Sequence, residues 1–186
     1  MGILNLTSDG LPSVLVALVR TLRKLGPLSK DELLALCCPE TLPYESSMGQ
    51  KTLTSWTSLG LFVETEEGLA VHPDLVSAEG GEVDELRQLA PVLRRLLFAP
   101  HNNECLNAKG GEGDMTLALC WVLAQDIISL PGGTYDSIER SEALQFSSTE
   151  PYAFQNFTRW NGFKAWIPLL GFGWTETYKG NNVLVV

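Results

Sequence analysis

Two short runs of polar residues carry the side chains best suited to reading another molecule. Gln50, Lys51, Thr54 and Ser58 recur at helical spacing, opposite the apolar Leu53, Trp56 and Leu59 of the same segment. Gln and Lys match the hydrogen-bonding edges of adenine and guanine in a major groove. Further along, Arg159, Asn161 and Lys164 sit on a second helical segment, and Lys179 with Asn181 and Asn182 marks the turn that follows it. Both runs also suit an ordinary solvated face, so their chemistry alone leaves nucleic-acid contact and protein contact open.

Catalytic and metal chemistry find little support. The four cysteines are Cys37, Cys38, Cys105 and Cys120, and no two have the two-to-four-residue gap of a zinc site. His72 and His101 are far apart; His101 with Cys105 is the one nucleophile–base pairing, and it lacks an orienting third group. Cys37, Cys38 and Cys120 lie on apolar helical stretches and are expected as core thiols. Gly110-Gly111-Glu112-Gly113 precedes a helix as phosphate-binding loops do. It has no Lys-Ser/Thr ending, however, and Glu112 and Asp114 would repel a phosphate. The expectation is a protein with no catalytic residues, no metal, no cofactor and no small-molecule substrate.

The elements around the first run can be read from their start and stop signals. Pro12 suits the first turn of a helix with Leu11, Val14, Leu15, Leu18, Val19, Leu22 and Leu25 on one stripe, closed by Gly26-Pro27. Ser29 and Glu32 form a capping box for a short second helix ending near Cys38. Ser47-x-x-Gln50 resembles another box and opens the third helix, which Gly60 stops. Leu61 to Val71, with a turn at Glu66-Glu67-Gly68, reads as a β-hairpin. Three helices followed by a two-stranded ribbon are the winged-helix plan.

Helix, Leu-Gly stop, strand, turn and strand recur at the far end. Trp166 is followed by Leu170-Gly171, the segment 172–177, a turn at residues 179–182 and the run Val183–Val186. Ahead of it come a strongly apolar helix, Met115 to Leu130, capped by Asp114, a shorter one from Tyr135 to Leu144, and an aromatic-rich one through Phe154, Phe157, Trp160, Phe163 and Trp166. The expected fold class is therefore mainly α with small β-hairpin wings, a tandem winged helix-turn-helix. The expected boundaries are 1–76 for the first unit, 77–113 for a helical linker with a Gly-rich loop, and 114–186 for the second unit. Within the linker, Pro91 is expected to kink or split the helix 82–98. Arg87, Arg94 and Arg95 share one face of it, with Asp84 and Glu85 as natural partners. The apolar run that ends the sequence suggests a longer parent or a partner that pairs with this edge.

Charge bears on the partner. Thirteen Lys and Arg stand against 22 Asp and Glu, a net charge of -9. Such a field opposes the approach of a polyanion, although a local patch can overcome it. Residues 1–80 hold five basic and ten acidic groups, a net of -5, and Glu64, Glu66 and Glu67 crowd the first ribbon. Residues 131–186 hold four basic and five acidic groups, a net of -1, so the second unit is the better candidate for double-stranded DNA. The start has no basic region ahead of an apolar core, the longest early apolar run is Val14–Val19, and two cysteines are adjacent. A cytoplasmic, membrane-independent protein is expected.

The opening Met1-Gly2-Ile3-Leu4-Asn5-Leu6-Thr7-Ser8-Asp9-Gly10-Leu11-Pro12, with Gly26-Pro27-Leu28-Ser29 and Leu33-Leu34-Ala35-Leu36-Cys37, resembles the DpdG family. Its bacterial members lie beside genes that place 7-deazaguanine derivatives in DNA and exclude foreign DNA. The resemblance covers about the first 40 residues well and the remainder in general layout, and it carries no catalytic motif. It implies an accessory role in a multi-protein DNA-modification and restriction (anti-phage defence) system, with other defence-system proteins as partners. Two functions follow: DNA contact, chiefly through the second unit, or an interaction adaptor that never touches DNA.

Overall fold

The computed structural model describes residues 2–39, 47–76, 82–104, 113–125, 130, 132–146 and 152–186. The chain forms two compact units, Thr7–Ala99 and Met1–Leu6 with Pro100–Val186.

In the first unit, Pro12 starts α2 (Pro12–Leu25), which follows the short α1 (Leu6–Asp9). Leu15, Leu18, Val19 and Leu22 are buried as the stripe requires, while Leu11 and Val14 are half-buried and Leu25, at the helix end, is exposed. Gly26, at φ 84°, ends the helix and donates its N–H to the Leu22 carbonyl. The capping box forms: Ser29 Oγ accepts from the Glu32 N–H, and the Glu32 carboxylate accepts from the Ser29 N–H at 3.0 Å, opening α3 (Lys30–Cys37). Helix α4 (Ser47–Ser58) includes Ser47 itself, so that residue lies inside the helix and does not cap it.

The ribbon pairs β1 (Phe62–Thr65) with β2 (Gly68–Val71), antiparallel. Leu28 adds a one-residue third strand, exchanging main-chain bonds of 3.1 and 2.8 Å with Leu69. Gly68 makes this possible, since a Cβ there would sit 2.6 Å from the Leu28 carbonyl oxygen. Leu53, Trp56, Leu61, Phe62, Leu69 and Val71 fill the core.

Helix α5 (Pro73–Val76) leads to α6 (Glu82–Leu97). The latter, expected as part of a linker, belongs to this unit and buries Leu89, Val92, Leu93 and Leu97. Pro91 neither splits nor ends it. The proline is exposed, on the side where a lost main-chain bond costs least. Arg95 pairs with Asp74 of α5; the side chains of Asp84 and Glu85 lie outside the described residues.

The second unit contains α7 (Asp114–Leu123), α8 (Tyr135–Gln145), α9 (Phe157–Leu170), β3 (Trp174–Tyr178) and β4 (Asn181–Val185). A 3-10 turn spans Pro100–Asn102. Helix α7 stops seven residues before the expected end at Leu130. Leu130 meets β4 instead: Leu184 N–H donates to its carbonyl at 3.4 Å, and Gly132 N–H donates to the Asn182 carbonyl at 2.8 Å. A Cβ on Gly132 would meet the main chain of Val183 and Leu184 at 2.5 and 2.7 Å. Nor is α7 buried all round, because Cys120 and Leu123 are exposed.

Phe154, which precedes α9, is the hub of the aromatic core, edge-on to Trp121, Trp160 and Phe163 at 5.7, 4.9 and 5.2 Å. Lys179 and Gly180, at φ 50° and 80°, make the two-residue turn of the β3–β4 hairpin.

Both third helices end alike. Leu61 N–H donates to Trp56 and Gly60 N–H to Thr57; Phe172 N–H donates to Ile167 and Gly171 N–H to Pro168. With Gly60 and Gly171 at φ 90° and 70°, each Leu-Gly stop is a Schellman-type turn that aims the chain into its ribbon.

Candidate interaction site

The first unit presents its polar run outward. Gln50, Thr54 and Ser58, four residues apart, lie exposed along α4. Lys51 is drawn aside: its ammonium donates to the Thr7 carbonyl at 2.9 Å and ties α4 to the segment ahead of α2. Between α4, the start of α3 and the ribbon runs a groove of about 390 Å³, floored by Leu53 and Leu69. Glu64 lines it, and Glu66 and Glu67 are exposed at the turn beyond.

The second unit treats its charged run differently. Arg159 turns inward, its side chain 16% exposed, and its guanidinium lies 3.4 Å from the carboxylate of Asp114, which is 2% exposed. Asp114 is not a helix cap. It accepts from the N–H groups of Ile3, Leu4 and Met115 at 3.2, 3.1 and 2.7 Å, holding the N-terminal segment against the unit. Gly162 of α9 lets that segment come close, since a Cβ there would overlap the Leu4 carbonyl. Burial pushes the Asp114 carboxyl up to about 6, against the opposing pull of Arg159 and the three N–H donors.

Lys164 is also spent within the unit. Its ammonium donates to the Gly133 and Gly132 carbonyls at 2.8 and 3.3 Å and lies 5.3 Å from the Trp160 ring. Burial lowers its pKa. Asn161 is half-buried, and Lys179 is exposed with its ammonium 5.2 Å over Tyr178. Asn182 is exposed and its side-chain oxygen accepts from Thr177; the Asn181 side chain lies outside the described residues. Three aromatic side chains of this unit stand outside, with Trp174 54%, Tyr178 63% and Phe157 58% exposed.

A second buried carboxyl was invisible in the residue pattern. Glu142 of α8, fully buried, accepts from Tyr135 Oη and Phe154 N–H, both at 2.7 Å, and anchors the hub of the aromatic core. Burial raises its pKa, as it does that of the Tyr135 phenol beside it.

Burial works against thiolate formation at two of the described cysteines. Cys37 and Cys38 are half-buried, and desolvation raises both pKa values; Cys120 is exposed, contrary to the core position its apolar helix suggested. Cys105 and the loop 110–112 lie outside the described residues. Among the described residues no helix is long and apolar enough to cross a membrane.

Comparison with curated proteins and with solved structures returns no match. A family model described as DpdG-like matches residues 1–186, the whole of the sequence. The chain belongs to the DpdG-like family.

Proposed function

We propose that the chain is a tandem winged-helix, non-enzymatic adaptor of a 7-deazaguanine DNA-modification and restriction system, docking partner proteins of that system. Family membership supports the setting. The winged-helix reading is supported by a shared plan: helix, main-chain contact to the ribbon, two helices, Leu-Gly stop and ribbon, with Leu28 bonded to β2 in one unit and Leu130 and Gly132 each bonded to β4 in the other. The groups with perturbed acidity favour a binding role. Asp114, Glu142 and Lys164 each spend their hydrogen bonds on main chain of their own unit, as structural pins do.

One observation carries protein over DNA as the partner. Arg159 and Lys164, the cations of the second unit's third helix, are committed inside it, so phosphate contact would fall to Lys179 alone of the three. DNA contact keeps one supporting feature, the exposed Gln50–Thr54–Ser58 stripe.

Tagged chain purified from cells carrying the whole gene cluster is expected to bring a cluster-encoded protein with it, and to leave duplex DNA unshifted in gels at low salt. A shift that weakens steeply with salt and disappears in Lys179→Ala, or in Gln50→Ala with Thr54→Ala, would replace the adaptor reading with the DNA one. Arg159 and Lys164 are unsuitable probes, because their loss would disturb the unit itself.

A further inference from the structure

The groove of the first unit has an unusual hydrogen-bonding polarity. Thr57 Oγ1 donates to the Leu53 carbonyl at 2.7 Å, Ser58 Oγ to that of Thr54 at 2.9 Å, and Thr65 Oγ1 to that of Gly68 at 2.8 Å. Ser29 Oγ donates to the Glu32 carboxylate at 2.6 Å. All four hydroxyls line the groove, and each has committed its single proton within the protein. A hydroxyl in that state has only lone pairs left to offer. The Glu64 carboxylate lines the same space and is acceptor-only when ionised. Against these acceptors the lining sets two side-chain donors, Lys30 and Thr54.

With its free side-chain acceptors outnumbering those two donors, the surface suits a donor-rich cation better than phosphate, which is itself acceptor-only. We propose that this groove binds an arginine side chain presented by a partner protein. A guanidinium offers five N–H donors and no acceptor, so it satisfies Glu64 and the ring of hydroxyls together. Its aliphatic stem lies on the floor made by Leu53 and Leu69. The volume of about 390 Å³ falls at the small end of ligand clefts, enough for one long side chain and the main chain that bears it. Charge complementarity acts in the same direction: residues 1–80 carry a net of -5, and Glu66 and Glu67 stand at the turn beyond Glu64. The inference rests on the adaptor reading and names the chemistry of the partner.

The test uses the full chain, isotope-labelled, and an acetylated, amidated Gly-Arg-Gly-Arg-Gly peptide. Amide resonances of Thr54, Ser58, Glu64 and Thr65 are expected to shift together. Glu64→Gln is expected to weaken binding about tenfold, the loss of one charge-assisted hydrogen bond. Ser58→Ala is expected to weaken it less, while Glu66→Gln with Glu67→Gln has only a small effect. The same peptide with citrulline for arginine, neutral and nearly isosteric, is expected not to bind.

Equal binding of the citrulline peptide, shifts spread over the acidic surface, an equal loss in the Glu66/Glu67 variant, or duplex DNA shifting the same amides would each overturn the proposal. Its failure is separable from that of the adaptor reading. A partner that still co-purifies with Glu64→Gln removes the arginine groove alone. Absence of any co-purifying protein removes the adaptor, whatever the peptide does.

Discussion

The two units share a skeleton and dispose of charge in opposite ways. In the first, α4 leaves Gln50, Thr54 and Ser58 in water, the carboxylates stand exposed on the ribbon, and the core is aliphatic around Trp56. In the second, α9 turns Arg159 and Lys164 inward onto Asp114 and the Gly132–Gly133 carbonyls, and leaves Trp174 and Tyr178 outside. One backbone plan can thus use its third helix as a presented face or as a buried strut. The residue types on that helix do not decide which; a partner such as Asp114, 45 positions earlier in sequence, does.

The sharpest way to break this comparison is Arg159→Ala. It leaves the buried Asp114 carboxylate without its cation, a change that typically costs about 3–5 kcal/mol. Hydrogen exchange resolved by residue is expected to show lost protection in α7, α9 and β4. Removing Lys51 from α4, by contrast, costs an exposed tether worth about 1 kcal/mol or less. Equal effects would mean that the two third helices are used alike.

The pH dependence separates the units next. The Asp114 carboxyl titrates near 6 in the folded unit, against 3.8 for an unperturbed one. Between those values the folded state holds a proton that the unfolded chain has released. The contribution of this group is therefore fully present below 3.8 and is lost as pH rises through 6, on the order of 3 kcal/mol by linkage. Glu142, also raised by burial, slopes in the same direction. Asp114→Asn is expected to flatten the pH profile of second-unit unfolding; an unchanged slope would remove Asp114 as its cause.

The smallest effect concerns helix starts. Ser29→Ala removes the hydroxyl half of the capping box on α3, the acceptor for the Glu32 N–H, and is expected to cost about 1 kcal/mol in chemical denaturation. Thr134 holds the corresponding place before α8, yet its side chain caps nothing. Thr134→Ala should therefore stay within about 0.5 kcal/mol.

What could be read from residues alone was local. The α2 stripe, the Ser29–Glu32 box, both Leu-Gly stops and both hairpins depend on neighbours within a few positions, and each stands where expected. The added main-chain pairings were missed because single residues, Leu28 on β2 and Leu130 and Gly132 on β4, have no periodicity to detect. The end of α7 was overrun for a related reason: Leu130, apolar enough to extend the helix, bonds instead to β4. Of the proposed contact residues, Gln50, Thr54, Ser58 and Lys179 are exposed and four others are not: Arg159 and Lys164 point inward, and Lys51 and Asn161 are half-buried. Arg159 and Lys164 flank the α9 stripe of Trp160, Phe163 and Ile167. A flanking position on a helical wheel suits either solvent or a bend toward a buried acceptor, and periodicity does not distinguish them.

The grip of Asp114 on Ile3 and Leu4 also sets an order of assembly on the ribosome. Those two residues emerge ahead of the first unit, but the carboxylate that receives their N–H groups follows 110 or more positions later. Thr7–Ala99 can complete its core in the interval, since all of its strands and helices are already made. The apolar segment ahead of it must wait, unburied, for α7 and α9. Closing so long a loop is slow. Nascent chains stalled before residue 114 should therefore bind a hydrophobic-segment chaperone at residues 2–6 and let go once α7 and α9 have been translated.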